Sequence, residues 1–473
     1  MIADSDKILI KNELWYKGQP LHEFHVEQRE LLKLITGKAS FLTVINCARQ
    51  WGKTYFSVLL CFMHCLQKPK NVVKYGSAYY TDLEKFIFPT IKKIVELMPP
   101  DLRPEIIESK KLVKFYNGSV IDIVGLDLKP DGLRGNSVSL VIIEEAGYVK
   151  RLRYIYFDVV IPMFTHTQKL NPKCIMIGTP SGDLTHDFTN FFFPKAQRES
   201  VYFHKTIDDN PLLKHEEKQR IIDEYIKDCS TPEEMAIQTA TMRRELYGEV
   251  TRDLSRAIIP EWKDEYIEDV ERDEYFQYYH RYTAMDYGVN DKTVFLFYYY
   301  DFKKAQVVFE GEFVDSGSSM TTDSLYSNVK LKEHDLYEDR IYRRVADTTN
   351  LLLINDFTQK YKMPFIHVKK DLLHVMVNEA RLWIKSGRVR VSYKCHELWN
   401  CLKNGMWNDD KSAFDHSDMW GHYDALAAFI YALRVIDQQT NPIPVTHGLK
   451  GDIQIVKKQQ AMQNFRSAFG RKV

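Results

Sequence analysis

Lys53 and Thr54 close the run Cys47-Ala-Arg-Gln-Trp-Gly-Lys-Thr54, a glycine turn ending in an ammonium and a hydroxyl. Backbone N–H groups of such a turn, set at the start of a helix, cradle phosphates; the lysine adds a point charge, and the threonine hydroxyl can hold Mg²⁺. Further along, Val138-Ser-Leu-Val-Ile-Ile143 runs into Glu144-Glu145. Nucleotide hydrolysis needs one acid near the metal and another group for the attacking water. Glu144 suits the metal, acting through its water, and Glu145 suits the nucleophile. Thr179 follows a third apolar run, Lys173–Gly178, and a hydroxyl there faces ligands if the run is a parallel strand. Taken alone, a Glu-Glu pair is a solvated turn and Gly-Thr-Pro an ordinary one; the upstream phosphate loop makes them a set.

A second set of acids lies in the C-terminal half. Asp286 closes Arg281-Tyr-Thr-Ala-Met-Asp286, Asp347 closes Arg344-Val-Ala-Asp347, and Asp424 stands where a helical apolar stretch becomes continuous, with Asp418 earlier in the same segment. Carboxylates gathered from two strands and a helix suit a pair of Mg²⁺ or Mn²⁺ ions, roughly 3.5–4 Å apart, that clamp the oxygens of a phosphoryl displacement. Singly, each acid reads as a cap or turn residue. Their order along the chain carries the nuclease reading, with Asp291 and His416 as auxiliaries or turn residues.

The elements that must position these groups fall into two patterns. Residues 20–260 alternate apolar runs with amphipathic stretches, as βαβ units around a largely parallel sheet do. The spacing predicts strands at 41–46, 72–78, 138–143, 173–179 and 200–206, a helix over 55–66, a hairpin about Asn117-Gly118, and a capped helix from Ser230 to Leu246. Charged, irregular sequence over 251–274 marks the boundary. Beyond it come strands at 281–286, 292–300, 305–314, 341–346 and 388–393, with helices at 321–335, 371–385 and 418–436. The division is a first domain over 1–255, a second over 256–440 and a basic tail over 441–473.

A chain of 473 residues holds two domains with ample core. No apolar run reaches membrane-spanning length, and the N-terminus lacks a basic-then-apolar leader, which argues for the cytoplasm. Seven scattered cysteines read as reduced thiols; Cys61 and Cys65 with His64, and Cys395-His396 with Cys401, lack companion zinc ligands and read as core. The net charge of +1 advertises no polyanion partner, so any nucleic-acid contact is local. The clearest basic patch lies in Leu449–Val473, where six cations face Asp452 for a local charge of +5; it reads as a binding arm or a solvated tail.

Together these motifs resemble the large terminase subunit of tailed bacteriophages over about residues 20–436. The resemblance rests on Ala48-Arg-Gln-Trp-Gly-Lys-Thr54, a phosphate-loop variant without the first glycine that accounts for Cys47. It rests also on Val141-Ile-Ile-Glu-Glu-Ala146, Gly178-Thr-Pro-Ser181, Ala284-Met-Asp286-Tyr-Gly288 and Tyr423-Asp-Ala-Leu426. It implies an α/β chain: an N-terminal P-loop ATPase domain of RecA-like (ASCE) type with a mainly parallel sheet, then an RNase H-like nuclease domain. The implied cofactors are ATP and Mg²⁺, with Mn²⁺ an alternative at the nuclease site. Arg49, Gln50, Gly52, Lys53, Thr54 and Glu144, which replaces the commoner Asp, then bind nucleotide and metal, Gln28 reads adenine, and Glu145 serves the attacking water. Thr179 couples hydrolysis to movement, and Arg134, or alternatively Arg49, supplies an arginine finger. Asp286, Asp347 and Asp424 hold the nuclease metals, with Asp418 a fourth ligand or the alternative third acid.

The implied activity is ATP-driven movement of double-stranded DNA into a procapsid plus metal-dependent cutting of concatemers. The implied partners are DNA, the portal, a small terminase subunit and further copies in a pentameric ring, in the host cytoplasm and outside the mature virion. A helicase or repair ATPase with a fused nuclease, and a catalytically dead DNA-binding scaffold, are the rival readings.

Overall fold

Strands buried on both faces have no polar side to offer water, and such strands occupy the middle of parallel sheets. The computed structural model describes residues 4–135, 138–164, 171–288, 292–315, 321–347, 351–368, 372–416 and 421–444. They form two compact units, the first reaching Ala257 and the second running from Ile258.

The first unit is built on eight strands: β1 (Leu42–Cys47), β2 (Val72–Ser77), β3 (Glu105–Ile107), β4 (Leu112–Lys114), β5 (Val120–Gly125), β6 (Val138–Glu144), β7 (Lys173–Gly178) and β8 (Tyr202–Lys205). Their order is β3-β4-β5-β2-β6-β7-β1-β8. From β5 to β8 every neighbour is parallel, and β3 and β4 add an antiparallel edge. One strand, β7, separates the phosphate-loop strand β1 from the Glu144 strand β6, the arrangement of a RecA-like ATPase. Alternate residues serve two cores: Ile45, Tyr75, Ile142 and Ile177 pack with the helix Lys53–Gln67, whereas Val44, Val141, Ile143 and Met176 pack with Ile155, Phe164 and Phe188. The Asn117-Gly118 hairpin joins β4 to β5, with Gly118 at a φ of 81°. The capped helix spans Pro232–Tyr247, with Thr231 and Glu234 in a capping box. The helix after the phosphate loop begins at Lys53, two residues earlier than its apolar pattern, because Lys53 is itself buried.

The second unit carries β9 (Ile267–Glu268), β10 (Arg281–Asp286), β11 (Thr293–Asp301), β12 (Gln306–Asp315), β13 (Arg343–Ala346), β14 (Ile366–His367) and β15 (Val389–Ser392), in the order β14-β13-β10-β11-β12-β15-β9. β10, β11 and β12 form an antiparallel meander, while β13 and β14 run parallel to β10. That is the RNase H-like sheet. Tyr282, Ala284, Val294, Leu296 and Val345 face the helix Asp424–Leu433; Met285, Phe295, Phe297 and Ala346 face the helices Thr322–Tyr337 and Leu351–Gln359. The closing helix was expected over 418–436, but Asp424 is its first residue: Tyr423, at a φ of 60°, breaks the helical backbone just before it.

The cysteines are free and six of the seven are buried, and the described residues hold no cluster of three His, Cys, Asp or Glu poised to grip an ion. Among the described residues no helix is long and apolar enough to cross a membrane.

Candidate nucleotide and nuclease sites

The carboxyl ends of β1, β2 and β6 open onto a cavity of 1090 Å³ in the first unit, lined by Gln28, Arg49, Gln50, Gly52, Lys53, Thr54, Glu144 and Glu145 among others. Parallel strands place ligands at this edge. Gln50, at a φ of 66°, and Gly52, at 91°, fold the loop so that it runs directly into the helix from Lys53. Gln28 and His25 cap the neighbouring helix Val26–Thr36 and also grip this loop: Gln28 Nε2 donates to Gly52 O at 3.2 Å. Nδ1 of His25 accepts from Gln28 N at 3.3 Å, which leaves the proton on Nε2 to bond Trp51 O at 3.2 Å. Asn210 Nδ2 donates to Gln50 O, and the Arg49 guanidinium pairs with Glu245.

Inside the cavity Lys53 Nζ stands 2.8 Å from Glu145 Oε1 and donates to Thr179 Oγ1 at 3.4 Å. Burial opposes the Lys53 charge, but Glu145 outweighs it and holds the ammonium's pKa above its ordinary value. Glu145 reaches back to Lys53 because its backbone is left-handed, with a φ of 52°. The Thr54 hydroxyl donates to Glu144 Oε1 at 2.5 Å, and the Tyr75 hydroxyl donates to the other oxygen. Burial pushes the Glu144 carboxyl up to about 7 even so, since those two donors only partly offset the lost hydration.

The strand ends approach closely because glycines sit between them. A Cβ on Gly147 would lie 2.1 Å from Thr179 O, and one on Gly178 would lie 2.7 Å from Ala146 N. Thr179, just past the end of β7, in turn donates to Cys47 O at 3.1 Å, so the three strand ends are tied together. The donor set fits a magnesium nucleotide: a buried ammonium and loop N–H groups for phosphates, and a hydroxyl with a carboxylate behind it for the cation.

In the second unit β10 and β13 are parallel, with Met285 opposite Ala346, so Asp286 and Asp347 follow one another at the same sheet edge. Both lie on the face covered by the helix that Asp424 begins. Tyr431, two turns along that helix, registers all three. Burial, then the negative charge of Asp286 and Asp347, a hydrogen bond with Asp347 and the charge of Asp424 push its phenol far above the ordinary range. The donors are carboxylate oxygens, which suit hard divalent cations. These acids fit a cation by chemistry and by strand register, although their side chains are not drawn about a single point.

Residues 44–262, which contain both the phosphate loop and the Glu144-Glu145 strand, match the family described as terminase large subunit, T4likevirus-type, N-terminal. Over that stretch the chain is similar to the large terminase family. The chain is similar to the large terminase of bacteriophage HK97, at 14% identity over 92% of this chain and 100% of that one, with a TM-score of 0.50. Its likeness to the large terminase of the thermophilic bacteriophage D6E in complex with ADP has 14% identity over 87% and 99% of the two chains, with a TM-score of 0.39. The P22 large terminase nuclease domain aligns at 13% identity over 38% and 91%, with a TM-score of 0.30. At these identities the HK97 likeness speaks to the fold.

Two expected site residues stand apart from these groups. Arg134 is exposed, outside the cavity lining, and donates to Asp131 Oδ1 and the Tyr154 hydroxyl, each at 3.1 Å. Asp418, like Asp291 and the basic stretch Leu449–Val473, lies outside the described residues. Other partners had no signal in the sequence. Tyr75 sits mid-strand like any core aromatic, and Glu245 ends a helix like any exposed acid. In the second unit Glu312 accepts from Glu397 N at 2.8 Å and Leu398 N at 3.0 Å, and burial pushes its carboxyl up to about 7 against those bonds.

Proposed function

We propose that this chain is a large terminase subunit, an ATP-driven motor that moves double-stranded DNA into a procapsid and cuts it with divalent cations held by Asp286, Asp347 and Asp424. The observation that carries the motor half is the meeting of Lys53, Thr54, Glu144, Glu145 and Thr179 at one sheet edge beside a nucleotide-sized cavity. The family match over residues 44–262, which spans all five, supports the same reading.

Lys53 exchanges its bond to Glu145 for one to a phosphate, which releases the Glu145 carboxylate to hold and deprotonate the attacking water. Glu144 keeps the Thr54 hydroxyl in place with the help of Tyr75. Magnesium, when bound at Thr54, neutralises developing phosphate charge. Arg134, exposed and beyond the cavity, is set to reach a neighbouring copy's nucleotide, whereas Arg49 is tied to Glu245 within its own unit. Gln28 completes the adenine end, and Thr179, bonded to both Lys53 and the loop strand, passes the state of the site to the next strand. In the second unit the parallel register of Asp286 and Asp347 supports a two-cation nuclease, with Asp418 as a further ligand. The small terminase subunit selects the DNA, the portal seats a ring of copies, and the work is done in the host cytoplasm.

The test is packaging itself. Purified procapsids with portal, linear duplex DNA, ATP and this chain should give DNA protected from DNase, and Lys53→Ala should give none. Duplex unwinding without procapsids would instead place the chain among helicases, and inactivity in every assay would leave a scaffold.

A further inference from the structure

Behind Asp286 and Asp347, on the opposite face of the sheet, the side chain of Glu333 is fully buried in the helix Thr322–Tyr337. Its Oε1 accepts from Thr283 Oγ1 at 2.7 Å and from Arg344 Nε at 2.8 Å, and its Oε2 accepts from Arg344 Nη2 at 2.6 Å. Thr283 and Arg344 are register partners across β10 and β13. Each lies three residues before an aspartate, Thr283 before Asp286 and Arg344 before Asp347. One carboxylate thus grips both strands one step behind the two acids.

The pairing of β10 with β13 is short, four residues on each side. A slip of one residue would turn Asp347 to the far face and leave Asp286 without its neighbour. Backbone bonds alone would be satisfied in either register. The forked pair between Glu333 and Arg344 would not, because its planar geometry fits one position only. A buried charge held at three points is also a costly choice for mere packing, which apolar groups achieve without it.

We propose that Glu333, through Thr283 and Arg344, is a positioning residue that fixes Asp286 beside Asp347 for cation binding. This rests on the nuclease reading of those aspartates. Residues that orient metal ligands typically change metal affinity by about 10–100-fold when replaced.

The experiment measures Mn²⁺ affinity of the full chain by calorimetry, and plasmid cutting against Mn²⁺ concentration, for the wild type, Glu333→Gln and Thr283→Val, with folding checked by thermal unfolding. Glu333→Gln should weaken Mn²⁺ binding and raise the half-saturating Mn²⁺ about tenfold, with the cutting rate at saturating metal within about twofold of wild type. Thr283→Val, which loses one of the three bonds, should shift both quantities in the same direction by about threefold. Unchanged affinity in a folded Glu333→Gln, or a lower saturating rate at unchanged affinity, overturns the proposal. Should Glu333→Gln not fold, Thr283→Val decides alone: a shift supports the clamp and wild-type affinity overturns it. Asp286→Asn separates the two readings. If Asp286→Asn still cuts, the nuclease assignment fails; if it is dead while both clamp variants keep wild-type affinity, only the clamp fails.

Discussion

Lys53 and Glu145 form an ion pair at 2.8 Å inside the cavity that opens at the ends of the parallel strands. On the proposed mechanism the Lys53 ammonium turns from this carboxylate to a nucleotide phosphate, which frees Glu145 for the attacking water. Glu145→Ala is therefore expected to lower ATP hydrolysis by about 100-fold or more, the usual scale for loss of a general base. Nucleotide affinity should persist or rise, since Lys53 loses its competitor. Hydrolysis at the wild-type rate in a phosphate-release assay would remove Glu145 from the mechanism.

Glu144 yields a prediction about pH. Burial holds its carboxyl at about 7 against an ordinary 4.5, so the folded, nucleotide-free unit favours the protonated form. The stability from this group is complete below pH 4.5 and is lost as pH rises through 7. Glu144→Gln cannot ionise and should remove that slope. The gap in unfolding free energy between the two proteins should therefore change by on the order of 2 kcal/mol between pH 5 and pH 8. Denaturant titrations at the two pH values measure it, and parallel slopes would show that Glu144 titrates normally.

Gly147 is expected to tolerate no side chain. A methyl group 2.1 Å from Thr179 O must push the turn after β6 away from the end of β7. Gly147→Ala should cost about 3 kcal/mol of stability, at the upper end for overpacking. It should also separate Lys53 from Thr179 and slow hydrolysis. Thermal unfolding and turnover of the purified variant check both effects, and a wild-type melting curve would contradict the packing described.

Arg134 and Arg49 make opposite predictions in mixed assemblies. Arg134 bonds Asp131 and is not among the residues that line its own cavity, whereas Arg49 lines it. A finger delivered between copies predicts that Arg134→Ala and Lys53→Ala chains, each inactive in the assembled ring, regain part of the hydrolysis when mixed. The Arg49→Ala chain should gain nothing from such mixing. Absence of rescue by Lys53→Ala would assign Arg134 to local pairing with Asp131.

The positions of the parallel strands and the residues gathered at their carboxyl edge were legible because each leaves a local mark. Apolar runs such as Val138–Ile143 announce buried parallel strands, and Asn117-Gly118 announces a hairpin. Gly-Lys-Thr at the end of an apolar run fixes a loop, a helix start and a ligand edge together. What was not legible depends on side chains that meet across long separations. Tyr75 reaches Glu144 from a neighbouring strand, Glu245 reaches Arg49 from a helix end, and Glu333 reaches Thr283 from the far face. None of these partners differs in type or spacing from ordinary core or surface residues. The helix His396–Asn404 was missed for a related reason: its N-terminus is capped by Glu312 from β12 rather than by a local residue. The late start of the closing helix at Asp424 likewise hangs on one backbone angle at Tyr423 that no composition reveals.

A crossed assay measures directly whether one chain houses two separable chemistries. ATP hydrolysis and Mn²⁺-dependent plasmid cutting are followed side by side for Lys53→Ala and Asp286→Ala. The expected result is a clean exchange: Lys53→Ala loses hydrolysis and still nicks plasmid, while Asp286→Ala hydrolyses ATP and leaves plasmid intact. Plasmid cutting that survives in Asp286→Ala, or ATP turnover that survives in Lys53→Ala, would contradict it.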